Sequence, residues 1–70
     1  MIVEGRVANF DDLRGDGVLT SDDGTTFYFH CVNIADGSRS VNPGQRVSAR
    51  RGVGHLGHDE AFAIEKIADD

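Results

Sequence analysis

An all-β barrel of five short strands is the fold the sequence predicts, on three observations. Nine glycines in 70 residues, together with turn-forming pairs, interrupt the chain at the spacing of about ten residues typical of small β barrels and sandwiches. The runs between them are rich in β-branched and aromatic residues, and no long segment shows a helical period. Closure is the economical arrangement for so few strands, because it removes exposed sheet edges.

The first strand is expected from Ile2 to Phe10, with Val3 and Val7 on its inner row. Asp11-Asp12-Leu13-Arg14 reads as a loop, and Gly15 to Thr20 as the second strand. Ser21-Asp22-Asp23-Gly24 has the composition of a hairpin turn, with Asp-Gly supplying a left-handed position. The third strand follows from Thr25 to Cys31, and Val32-Asn33-Ile34 suits a single helical turn. Ala35 to Gly44, polar and carrying the only proline, is expected to be a long mobile loop. Gln45 to Arg51 reads as the fourth strand, residues 52 to 58 as a glycine-rich loop, and Glu60 to Ile67 as the fifth strand. Phe27, Phe29 and Phe62 are expected in the core.

At this length residues 1–70 form one domain, near the lower limit for a single unstapled core. The single cysteine, Cys31, has no disulfide partner in the chain, which fits a reducing compartment. No basic region followed by an apolar run opens the sequence, and no apolar segment approaches membrane-spanning length. A cytoplasmic protein without a membrane partner is the expectation. The formal net charge is −5, from 12 acidic and 7 basic side chains. That balance repels a polyanion at long range unless the arginines gather on one face.

The most informative stretch is Phe27-Tyr28-Phe29-His30-Cys31. A period of two sends Phe27, Phe29 and Cys31 inward, and Thr26, Tyr28 and His30 outward. An inner row that is wholly apolar leaves the aromatic outer row to be explained by something other than packing. Antiparallel pairing with the second strand places Asp16 close to His30, where the carboxylate would favour the imidazolium.

The order of motifs resembles the cold-shock domain family, the smallest version of the OB-fold barrel. Gly5-Arg6-Val7, Phe10, Arg14-Gly15-x-Gly17-x-Leu19, the Asp22-Asp23-Gly24 turn, Tyr28-x-His30, Ile34 and Gly44-Gln45-Arg46-Val47 carry the resemblance over nearly the whole chain. It implies a small five-stranded antiparallel OB-fold-type barrel that binds single-stranded RNA or DNA by stacking bases on aromatics of the second and third strands. It implies no enzymatic activity and no cofactor. Asn9, Asp16, Val18, Cys31 and Ser38 stand where the family usually has aromatics. Stacking is worth roughly 1–3 kcal/mol per base, so these missing platforms together remove on the order of 4 kcal/mol or more. A micromolar complex holds only about 8 kcal/mol in total.

The residues expected to bind nucleic acid are therefore Phe10, Arg14, Val18, Tyr28, His30 and Arg39. Arg14 takes the place of the family's lysine at the start of the second strand, and Arg6, Arg39, Arg50 and Arg51 could continue a phosphate track. His55 and His58, three residues apart and followed by Asp59 and Glu60, are weak as a metal site without a fixed scaffold. Cys31 has its adjacent His30 on the opposite face, and no nucleophile–base–orienter set is present. Two readings follow: a single-stranded nucleic-acid-binding protein of reduced affinity, or a barrel repurposed as a protein-interaction module.

Overall fold

The computed structural model describes residues 1–53 and 59–68. Its strands are β1 (Ile2–Asp11), β2 (Asp16–Ser21), β3 (Thr26–His30), β4 (Arg46–Val53) and β5 (Asp59–Lys66). They close into a barrel in the order β1-β2-β3-β5-β4, consistent with the OB-fold type. A 3₁₀ turn over Cys31–Asn33 follows β3 directly. His30 caps it, its Nδ1 accepting the Val32 N–H at 3.4 Å. No helix among the described residues is long and apolar enough to cross a membrane.

Four neighbouring pairs are antiparallel, but β3 and β5 run parallel, meeting at Tyr28 and Glu60. Five strands cannot alternate all the way around a closed ring, so an odd barrel must contain a parallel pair. This corrects the expected purely antiparallel arrangement. Just beyond the seam, Ile34 bridges Ile64 in the same parallel sense.

The period of two gives the core. Val7, Leu19, Phe27, Phe29, Val47, Ala49, Ala61 and Ile64 point inward and are buried, with Val3 and Cys31 packed against them. Phe10 closes one end, its ring stacked on Phe29 with centroids 5.8 Å apart. Gly17, paired with both residues, makes this stacking possible. A Cβ there would lie 2.4 Å from the Asn9 carbonyl oxygen and 2.9 Å from the Phe29 ring. Towards the opposite end the Arg51 guanidinium lies over Phe27, 5.7 Å from the ring centroid.

The Ser21–Gly24 turn forms as expected: Gly24 sits at φ +91° and its N–H donates to the Ser21 carbonyl at 2.9 Å. The buried Ser21 hydroxyl donates to Asp23, and this bond holds the Asp23 carboxyl down at about 2. Arg46 ties the turn to β4 through paired 2.7 Å bonds to the Asp22 carboxylate, and reaches Glu4 at 3.2 Å.

The segment from residue 35 to 44 is anchored as well as polar. Val41 enters the core, and Lys66 clamps the loop through Asp36 at 2.9 Å and Ser38 at 3.0 Å.

Phe62 is a clear departure from expectation. Ala61 and Ile64 both enter the core although they lie three residues apart, a spacing that strict alternation forbids. A bulge resolves the conflict: the register shifts against β4 and Ala63 adopts φ 51°. Phe62 is left on the outer surface, half-buried.

A candidate nucleic-acid interface on the outer barrel face

The pairing registers place Asn9, Val18, Tyr28, Glu60 and Gly52 on one row across the outside of β1, β2, β3, β5 and β4. Asp11, Asp16 and His30 form the next row toward the end that Phe10 closes. A bulge at Ala8 sets this phase, keeping Val7 and Phe10 inside while Asn9 faces out. Tyr28 is 40% exposed, so its ring has room for a planar ligand. The only ring pair among the described residues is Phe10–Phe29, so no other described ring stacks on Tyr28 or His30. Same-face residues on a strand are about 7 Å apart, twice the ~3.4 Å spacing along a stacked nucleic-acid strand. Each ring can therefore take its own base.

Of the residues expected at the interface, Val18, Tyr28 and His30 share this outer surface. Phe10 does not: it lies on the inner row with its ring on Phe29 and serves the core. Arg14 sits in the loop between β1 and β2, exposed, with its guanidinium 3.1 Å from Asp16. The Asp11 carboxylate accepts the Leu13 and Arg14 N–H groups at 3.0 and 3.2 Å and fixes that loop. Arg39 lies in the loop after the 3₁₀ turn at φ 57°, where a non-glycine residue is strained. The neighbouring Ser40 hydroxyl reaches Asp12 at 3.3 Å, bringing the loops of Arg14 and Arg39 to the same end of the barrel. Arg39 makes no ion pair or hydrogen bond among the described residues.

Asp16 does pair with His30 in register, as expected, but its carboxylate does not turn to the imidazole. It accepts the Tyr28 hydroxyl at 2.6 Å and the Arg14 guanidinium at 3.1 Å. The hydrogen bond to Asp16 pushes the Tyr28 phenol above its usual range. His30 Nδ1 faces its own chain instead, toward Val32 N–H and, at 3.8 Å, the Cys31 thiol.

The arginines do not assemble into the single track the sequence suggested. Arg6 donates to the Gly44 carbonyl at 3.0 Å, Arg51 pairs with Asp59 at 3.7 Å, and Arg50 projects from β4 beside Phe62. Only Arg14 and Arg39 belong to the Tyr28–His30 end, where Asp11, Asp16 and Glu60 oppose them. Among the described residues this face carries charges of both signs. The His55 and His58 pair lies outside the described residues. Among the described residues no cluster of three or more His, Cys, Asp or Glu could hold a metal ion.

No protein-family model matches the chain, and no curated protein matches it. The class of the molecule is therefore defined by its own architecture, a closed five-stranded all-β barrel of the OB-fold type.

Proposed function

We propose that this chain binds single-stranded RNA or DNA weakly, in the manner of a cold-shock domain, with Tyr28 and His30 each stacking one base. The observation that carries this reading is the pair of uncovered rings at successive same-face positions of β3, on the outside of a closed barrel. Val18 offers an apolar contact beside Tyr28, and Arg14 and Arg39 reach the backbone from the end of the barrel. Two stacked bases contribute roughly 2–6 kcal/mol, below the ~8 kcal/mol of a micromolar complex. The dissociation constant is therefore expected above the micromolar range. With two phosphates neutralised at about 0.7 each on a single strand, the log–log salt slope is about −1.4.

Anisotropy titration of a labelled oligothymidine at low and moderate salt tests this. Tyr28→Ala is expected to weaken binding by about 1–3 kcal/mol, whereas Tyr28→Phe, which keeps the ring, retains it. A wild-type chain that binds no oligonucleotide even at low salt contradicts the reading.

A second reading, a protein-interaction module on the same face, is favoured by the carboxylates of Asp11, Asp16 and Glu60 and by the net charge of −5. Asp16→Asn separates the two. Removing a carboxylate beside the phosphate path strengthens oligonucleotide binding, by up to about 1 kcal/mol. A protein partner held through that carboxylate is instead weakened.

A further inference from the structure

Of the four phenylalanines, Phe62 alone lies outside the core and the side chains packed on it. It shares a lateral row with Arg50 and Ile2 on the outer surface of β5, β4 and β1. The ring is seated on the bare backbone of Gly52, one edge lying 2.6 and 2.9 Å from where a Cβ would stand. Arg50 beside it is exposed and makes no hydrogen bond or ion pair among the described residues. An aromatic ring and an uncommitted guanidinium thus adjoin on a surface that the barrel's own packing does not use.

This row continues the Tyr28 surface. Glu60 pairs with Tyr28 across the parallel seam, and Phe62 lies one same-face step beyond Glu60 on β5. Diagonal neighbours of this kind are roughly 8 Å apart. On the other side of Tyr28, Val18 and Asn9 offer no ring. The outer aromatic surface therefore extends from Tyr28 toward β5 and away from β1 and β2.

The geometry points to a second subsite for single-stranded nucleic acid on β4 and β5, where Phe62 stacks a base and Arg50 contacts the adjoining phosphate. The subsite rests on the nucleic-acid reading of Tyr28 and His30 and lengthens the same path. Ile2 gives the sugar and base edge an apolar flank, and the strand passes Glu60 on the Arg50 side, where its phosphate meets a cation.

Oligothymidines of about four and about eight nucleotides, lengths within the range of one OB-fold site, test the subsite by anisotropy. The variants are Phe62→Leu, which keeps apolar cover on Gly52 but removes the aromatic face, and Arg50→Gln at an exposed position. Both are expected to leave the short oligonucleotide within about two-fold of wild type and to weaken the long one about five-fold or more. Arg50→Gln also flattens the salt slope of the long oligonucleotide by about 0.7. Tyr28→Ala weakens both lengths. Unchanged affinity for the long oligonucleotide in both variants, with Tyr28→Ala still weakening it, overturns the subsite and leaves the β2–β3 reading standing. Equal losses for both lengths in the two variants also overturn it. Absence of wild-type binding to either length overturns both readings.

Discussion

Asp16 accepts the Tyr28 hydroxyl at 2.6 Å and the Arg14 guanidinium at 3.1 Å, linking the exposed ring to the adjacent cation. The bond stabilises the neutral phenol, so the folded-state pKa of Tyr28 lies above the ordinary value of 10.0. The sign follows by linkage: this contribution to stability is complete below pH 10 and is lost as pH rises through the folded value. Tyr28 is the only tyrosine, so phenolate absorbance reads it directly. The midpoint is expected above 10 in the wild type and to fall back toward 10 in Asp16→Asn; the same midpoint in both would refute the coupling. The neighbourhood of Asp16 and His30 was legible, because strand period and antiparallel pairing are local rules. The partner that Asp16 chose was not. His30, Tyr28 and Arg14 all lie within reach on one face, and the choice depends on rotamers, with the His30 ring already engaged in capping the 3₁₀ turn.

At the scale of the element, the bulge in β5 matters most. Ala63 holds φ 51° so that Ala61 and Ile64 can both be buried. An L-residue there costs about 1–2 kcal/mol, partly offset in glycine by its roughly 0.5–1 kcal/mol of extra chain entropy. Ala63→Gly is therefore expected to stabilise the barrel by about 0.5–1 kcal/mol, raising the melting temperature by several degrees in a domain of this size. An unchanged or lower melting temperature would contradict the strained-bulge account. The same bulge explains why Phe62 lies outside the core in which strict alternation would bury it. Alternation along β1 and β3 places Val7, Phe27 and Phe29 correctly from sequence alone. In β5 the phase is set by what its neighbours across the barrel can accommodate, and nothing local in Ala61-Phe62-Ala63-Ile64 announces a shift. The hairpin turn was legible for the opposite reason, since Asp23-Gly24 encodes its own geometry.

For the whole molecule, 70 residues imply a stability of only roughly 4–10 kcal/mol. Phe29 is fully buried and supports the Phe10 ring that closes one end. Phe29→Ala is expected to cost about 3–5 kcal/mol, enough to remove most of the cooperative thermal transition followed by circular dichroism; a shift of only a few degrees would contradict this view of the core. The closed topology was legible from strand count and turn spacing, and the parallel seam follows from the odd number of strands. The dispersal of the arginines was not legible, because it depends on which strands become neighbours. That dispersal, together with Asp11, Asp16 and Glu60, leaves ring stacking rather than charge as the main source of the affinity proposed for a single strand. The most direct measurement is amide chemical-shift mapping of the wild-type chain titrated with oligothymidine at low salt. Shifts concentrated at Val18, Tyr28 and His30, with Arg14 and Arg39 at their edge, are the expected result. An unperturbed β3 at saturating oligonucleotide would contradict the proposed function.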